Sequence, residues 1–132
     1  MSTYRVTRAG RARPHSSGWE LAIWYLMRLT GLGLFILALA HYIVVHFVYD
    51  PAIQDSAWVT ARWASVAQRT IDWLMLVFVM FHAFMGVRTV IGDYTSGGVR
   101  SVLTLLLYLV GLLLLAMGSM VVFTLGMPMV PA

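Results

Sequence analysis

Within the apolar stretches of this chain, few groups are able to ligate a metal, carry a proton or form an ion pair. The first stretch holds Arg28, His41 and His46; the second holds His82 and Arg88 and ends on Asp93-Tyr94. Ionisable groups in a membrane helix are costly and usually face protein, water or a cofactor. His82 stands in the middle of its stretch. At 100° per residue, Gly86, Thr89 and Asp93 lie at i+4, i+7 and i+11, within about 40° of it. One helical face thus carries an imidazole, a small residue, a hydroxyl and a carboxylate. By the helical rise, Asp93 is on the order of 16 Å from His82 along the axis, so the imidazole sits near mid-membrane and the carboxylate near a surface. A neutral imidazole in apolar surroundings is a good ligand for haem iron, and Gly86 lets a flat macrocycle approach the backbone. The alternative is a His82 that only hydrogen-bonds another helix.

The other groups read less sharply. Arg88 is off the His82 face by about 120°. Arg28 lies near the start of the first stretch. Either suits a propionate or a quinone oxygen, and either also suits snorkelling toward lipid headgroups. His41 and His46 lie near the far end of the first stretch, too close to that surface to share the depth of His82. On a regular α-helix His46 falls on the face of Arg28, about five turns away, and His41 on nearly the opposite side. If one of them binds a haem, it is a second, distal one; ordinary interfacial hydrogen bonding is the competing expectation. Asp93 and Tyr94 are placed to exchange protons and hydrogen bonds with a headgroup at the interface.

These groups need helices to position them. Three apolar stretches cover about residues 21–49, 73–94 and 101–125, each with roughly the 20 residues that cross hydrocarbon as an α-helix. The whole chain has 132 residues, 61% of them hydrophobic and only 11% charged, with a mean hydropathy of +0.83. A soluble domain carries about 25% charged residues, so a water-coated globule is a poor fit. The expected fold is an all-α membrane protein: residues 1–20 form an Arg-rich tail, and residues 21–132 form a three-helix anchor that packs with a partner into a larger bundle. On the third helix Thr104, Tyr108, Gly111, Leu115 and Gly118 make a stripe of the kind that packs helices closely, and Gly31 and Gly33 do the same on the first.

Charge sets the expected topology. There are nine Arg, no Lys and five acids, giving a net charge of +4. A basic chain invites a nucleic-acid reading. Here, however, Arg5, Arg8, Arg11 and Arg13 precede the first apolar residue run, and Arg100 sits in the short turn 94–101 on the same side. The positive-inside rule therefore puts the N-terminus in the cytoplasm and the C-terminus, including residues 127–132, outside. The 50–72 segment, with Trp58 and Trp63, reads as the longest loop, lying partly in the interface. No nucleic-acid partner is expected. With no Cys, disulfide and thiolate chemistry are excluded. There is no hydrolase motif or phosphate loop, and nothing points to self-contained catalysis.

The run HAFMGVRTVIGDY, His82 to Tyr94, resembles the second transmembrane helix of the small membrane-anchor subunits of succinate dehydrogenase, respiratory Complex II. Those anchors carry a His, a Gly four residues on and Asp-Tyr eleven residues after the His; here these are His82, Gly86 and Asp93-Tyr94. The opening Arg28-Leu29-Thr30-Gly31 of the first helix also looks like this family. The stretch RWASVAQRTIDW before the second helix looks most like the D-type anchor of actinobacterial enzymes. The resemblance covers roughly residues 24–94.

The resemblance implies a multi-pass subunit of a bacterial cytoplasmic membrane. Its partners would be a C-type anchor, an iron–sulfur subunit and a flavoprotein, embedded in the lipid bilayer. His82 would be an axial ligand of haem b iron, with the other ligand from the partner anchor. Tyr94 would hydrogen-bond a quinone carbonyl, with Asp93 beside it in proton delivery. Arg28 matches a family Arg near the haem propionates, and Arg88 has a counterpart in the C-type anchor. His41 and His46 resemble two-haem relatives, in which a first-helix His ligates the distal haem. The implied function is to anchor succinate:quinone oxidoreductase, with haem b as cofactor and a quinone as substrate. A quinol:fumarate reductase anchor, or a non-redox membrane subunit with structural histidines, are the alternatives.

Overall fold

The computed structural model describes residues 4–6, 12–14 and 18–125. Helix α1 spans Trp19–Ile43 and continues through a π turn, Val44–Val48. A 3-10 turn, Pro51–Ile53, and a short helix α2, Ser56–Trp63, follow. Helices α3, Val66–Tyr94, and α4, Gly97–Leu125, complete the chain. Three of these helices are long and apolar enough to cross a membrane. In hydrocarbon every backbone N–H and C=O must be satisfied within the segment, which is why these runs are helical. At 29 residues each, α3 and α4 are about 44 Å long and outreach the hydrocarbon core.

The helices therefore start earlier than the apolar stretches do. The 50–72 segment, expected as a loop, is largely helical. Asp50 accepts a hydrogen bond from the Ala52 N–H at 2.9 Å with Pro51 at the first helical position, and Asp55 accepts from the Trp58 N–H at 2.8 Å. These are ordinary N-caps. The polar first turns of α3 extend the helix beyond the apolar part. Likewise α4 begins at Gly97, so only Thr95 and Ser96 separate it from α3. Gly97 has φ +59°, the left-handed conformation that lets the chain reverse so sharply. Within the tail, Tyr4–Val6 pairs antiparallel with Ala12–Pro14, a two-stranded element that the sequence pattern does not announce. Arg8, Arg11 and residues 127–132 lie outside the described residues.

Helix α3 is central, with α1 packed on one flank and α4 on another. Glycines bring the helices together. A Cβ at Gly33 would stand 2.5 Å from the Phe78 ring, one at Gly111 2.8 Å from Phe84, and one at Gly118 2.8 Å from Leu76. Both glycine stripes expected from the sequence are thus packing faces. The Trp73 indole N–H adds a bond to Ser119 Oγ at 3.1 Å across the α3–α4 seam. Among the described residues only Ile23, Val122, Thr30 and Asp72 are buried. Leucines, valines and phenylalanines cover the outside of all three long helices. Such a chain has lipid or partner helices, not water, as its surroundings.

Candidate functional site

The site is built on α1 and α3. The hydroxyl of Thr30 lies 2.7 Å from the Leu26 carbonyl and 3.3 Å from that of Met27. The closer carbonyl takes its single proton, as serine and threonine hydroxyls commonly do in membrane helices. Thr30 Oγ1 is also 3.3 Å from His82 Nδ1. With its proton committed, the hydroxyl accepts there, so His82 carries its proton on Nδ1. This assignment follows from the surrounding bonds. Nε2 then holds the lone pair, and it has no hydrogen-bond partner among the described residues. The ring lies against the α1 backbone: a Cβ at Gly31 would stand 3.2 Å from His82 Cε1. One turn on, a Cβ at Gly86 would meet nothing within 4 Å among the described residues, so that part of the face is open there.

The donor set fits a haem. A neutral histidine whose Nδ1–H is held by a neighbour and whose Nε2 is free is the state in which imidazole binds iron. The small residue at Gly86 leaves the adjoining surface flat.

Asp93 and Tyr94 end α3, and both are exposed, Tyr94 at 85%. Their helix end is held by Arg100 of α4. Its Nη2 donates to the Gly92 carbonyl at 2.6 Å and its Nε to the Thr95 carbonyl at 2.8 Å. The last carbonyls of a helix lack internal partners and carry partial negative charge, which a guanidinium answers well. Arg100, read from sequence only as a topology charge, is thus also the clamp on the Asp93-Tyr94 end.

The two intramembrane arginines do not converge on His82 within this chain. Arg28 folds back on its own helix, its guanidinium 3.4 Å from the centre of the Trp24 ring and its Nη1 donating to the Trp24 carbonyl at 3.2 Å. Arg88 donates to Glu20 Oε1 at 2.9 Å, pairing the end of α3 with the start of α1. Glu20 is a partner that helical spacing alone does not supply.

The remaining histidines sit at the opposite end. His41 Nδ1 donates to Asp72 Oδ1 at 3.3 Å. Arg62 Nη2 donates to the same oxygen at 3.0 Å and the Trp63 indole to Oδ2 at 2.9 Å. His41 faces a cavity of about 200 Å³ that it shares with Trp58, Arg62 and Trp63, below the roughly 300 Å³ at which small-molecule pockets begin. His46 is exposed and tilts against Tyr42, with ring centroids 4.6 Å apart. It lies in the π turn. Within a π turn the rotation per residue differs from the regular α-helical value on which the expected alignment of His46 with Arg28 rests.

Residues 6–125 match the model of the succinate dehydrogenase/fumarate reductase transmembrane subunit family. The chain belongs to that family. A succinate dehydrogenase hydrophobic membrane anchor subunit from Archaeoglobus fulgidus is 35% identical over 94 residues, which cover 68% of this chain and 80% of that protein. The match takes in all three membrane helices, so the fold and the family agree: this is a succinate dehydrogenase/fumarate reductase transmembrane anchor subunit. Within that frame, the structure brings together His82, Thr30 and Gly31. It leaves Arg28, Arg88 and Asp93-Tyr94 as separate groups nearer the end of the bundle that holds the start of α1. His41 belongs with Asp72 at the other.

Proposed function

We propose that this anchor subunit serves succinate:quinone oxidoreductase in a bacterial cytoplasmic membrane, with its N-terminus in the cytoplasm. It helps hold haem b through His82 Nε2, and Asp93 and Tyr94 form part of a quinone-reducing site on the cytoplasmic side. The observation that carries this reading is the contact of His82 Nδ1 with Thr30 Oγ1 at 3.3 Å, midway along a family transmembrane helix; it assigns the proton to Nδ1 and leaves Nε2 for a ligand.

The roles follow from position and chemistry. Haem b, when bound, supplies a one-electron carrier inside the bilayer. His82 Nε2 would hold the haem iron together with a ligand from a C-type anchor. Electrons reach the site from an iron–sulfur subunit, which takes them from a flavoprotein. Reducing a quinone to a quinol consumes two electrons and two protons. The Tyr94 phenol donates a hydrogen bond to a quinone carbonyl, and Asp93, exposed at the interface, passes protons from the cytoplasm. Arg100 keeps that helix end in place. Arg28 and Arg88, at the end of the bundle that holds the start of α1, would supply positive charge to the haem propionates.

The decisive experiment is His82→Ala in the intact complex. The expected result is loss or strong perturbation of the haem b absorption bands with the flavin content unchanged. An unaltered spectrum and haem content would sink the ligand assignment. Haem stoichiometry with and without His41 and His46 then counts the haems.

A further inference from the structure

Thr30 is one of four buried residues among those described, and one of two that are polar. Its hydroxyl is a poor choice for filling space between two apolar helices, because a polar atom taken out of water costs free energy unless it is bonded. The bond to the Leu26 carbonyl at 2.7 Å satisfies its proton locally. Its second bond reaches 52 positions along the chain, to His82 Nδ1. The next residue, Gly31, lies against the same ring; a Cβ there would approach Cε1 to 3.2 Å, inside ordinary contact, and push the ring away. Two consecutive residues of α1 therefore fix two separate properties of the histidine: Thr30 its tautomer, Gly31 its distance from α1.

We propose that Thr30 and Gly31 are positioning residues for the haem-binding histidine, and that the Thr30 hydroxyl tunes the haem through the far side of the ring. This rests on the reading of His82 as an axial ligand. A hydrogen bond at Nδ1–H raises the basicity of a ligating imidazole and holds its orientation. A hydroxyl that already donates to a carbonyl is a polarised but neutral acceptor. It strengthens the iron–nitrogen bond without placing a carboxylate beside the haem in a low-dielectric interior. Removing it leaves the part-buried Nδ1–H unpaired and lets the ring turn. A weaker electron donor stabilises ferric iron less, so the midpoint potential rises.

The test uses the purified, intact complex with Thr30→Val, which keeps the shape and removes the acceptor, and Thr30→Ser, which keeps the hydroxyl. The readouts are haem affinity, the potentiometric midpoint of haem b and the low-spin electron paramagnetic resonance g values. Thr30→Val is expected to weaken haem retention by on the order of 10-fold, raise the midpoint potential and shift the g values. Thr30→Ser is expected to restore all three toward wild type. If the valine variant assembles poorly, Thr30→Ala against Thr30→Ser makes the same comparison with smaller side chains. Wild-type potential and g values in the valine or alanine variant, with haem lost in His82→Ala, would overturn the positioning role and leave the ligand assignment standing. Unchanged haem in His82→Ala would overturn both.

Discussion

Arg62 and Asp72 form a buried ion pair, Nη2 to Oδ1 at 3.0 Å, with both side chains no more than 10% exposed. Asp72 is the centre of the knot: Arg62, His41 and Trp63 all donate to its two oxygens. It ties α1 and the end of α2 to the second turn of α3. Among the described residues Arg62 Nε and Nη1 are buried without a partner, so the guanidinium depends heavily on the one carboxylate.

That dependence predicts an asymmetric response to mutation. Asp72→Ala leaves a buried guanidinium uncompensated and should destabilise the anchor by about 3–5 kcal/mol. Replacing both partners, as Arg62→Met with Asp72→Leu, should recover most of the loss, because the desolvation cost disappears with the charges. Thermal unfolding of the detergent-solubilised complex measures both. A single variant that melts with the wild type would show that the pair contributes little.

Close approach of α1 to α3 gives a second prediction. A Cβ at Gly33 would stand 2.5 Å from the Phe78 ring, a distance that real contacts do not show. Gly33→Ala should therefore cost about 1–3 kcal/mol through overpacking. Gly33→Ala with Phe78→Leu should be milder than Gly33→Ala alone, since the smaller side chain vacates the clash. A double-mutant cycle on melting temperature reads the coupling, and simple additivity would place the ring elsewhere.

The sequence makes the helical faces legible and leaves the contacts between them hidden. His82, Gly86 and Asp93 fall on one face because helical period is a local property. The glycine stripes are visible for the same reason. Thr30 meeting His82 is a contact between residues 52 apart, and nothing local to either residue encodes it. Asp72 is harder still. Its neighbours in sequence are charges and tryptophans, which mark an interfacial loop; its burial comes from α2 folding back to bring Arg62 and Trp63 over it. Helix starts shift because apolar content marks hydrocarbon, whereas a helix runs on through polar residues such as Gln68 and Arg69 until its caps end it.

The last prediction concerns the end of α3. Tyr94 is 85% exposed and Arg100 holds the adjoining carbonyls of Gly92 and Thr95. If Tyr94 donates to a quinone carbonyl, Tyr94→Phe removes one hydrogen bond and nothing else. A net loss of about 0.5–1.5 kcal/mol in binding or transition-state stabilisation corresponds to roughly 2- to 10-fold slower quinone reduction. Succinate oxidation with an artificial acceptor should persist, since that electron path bypasses the anchor. Arg100→Gln keeps a donor but loses the charge at the helix end, so it should raise the quinone KM while leaving the haem b spectrum unchanged, the His82 contacts being elsewhere. Parallel assays of quinone reductase and artificial-acceptor activity on the same preparation make the comparison. Equal loss of both activities in Tyr94→Phe would mean that the complex had failed to assemble, and quinone reduction at the wild-type rate would remove Tyr94 from the site.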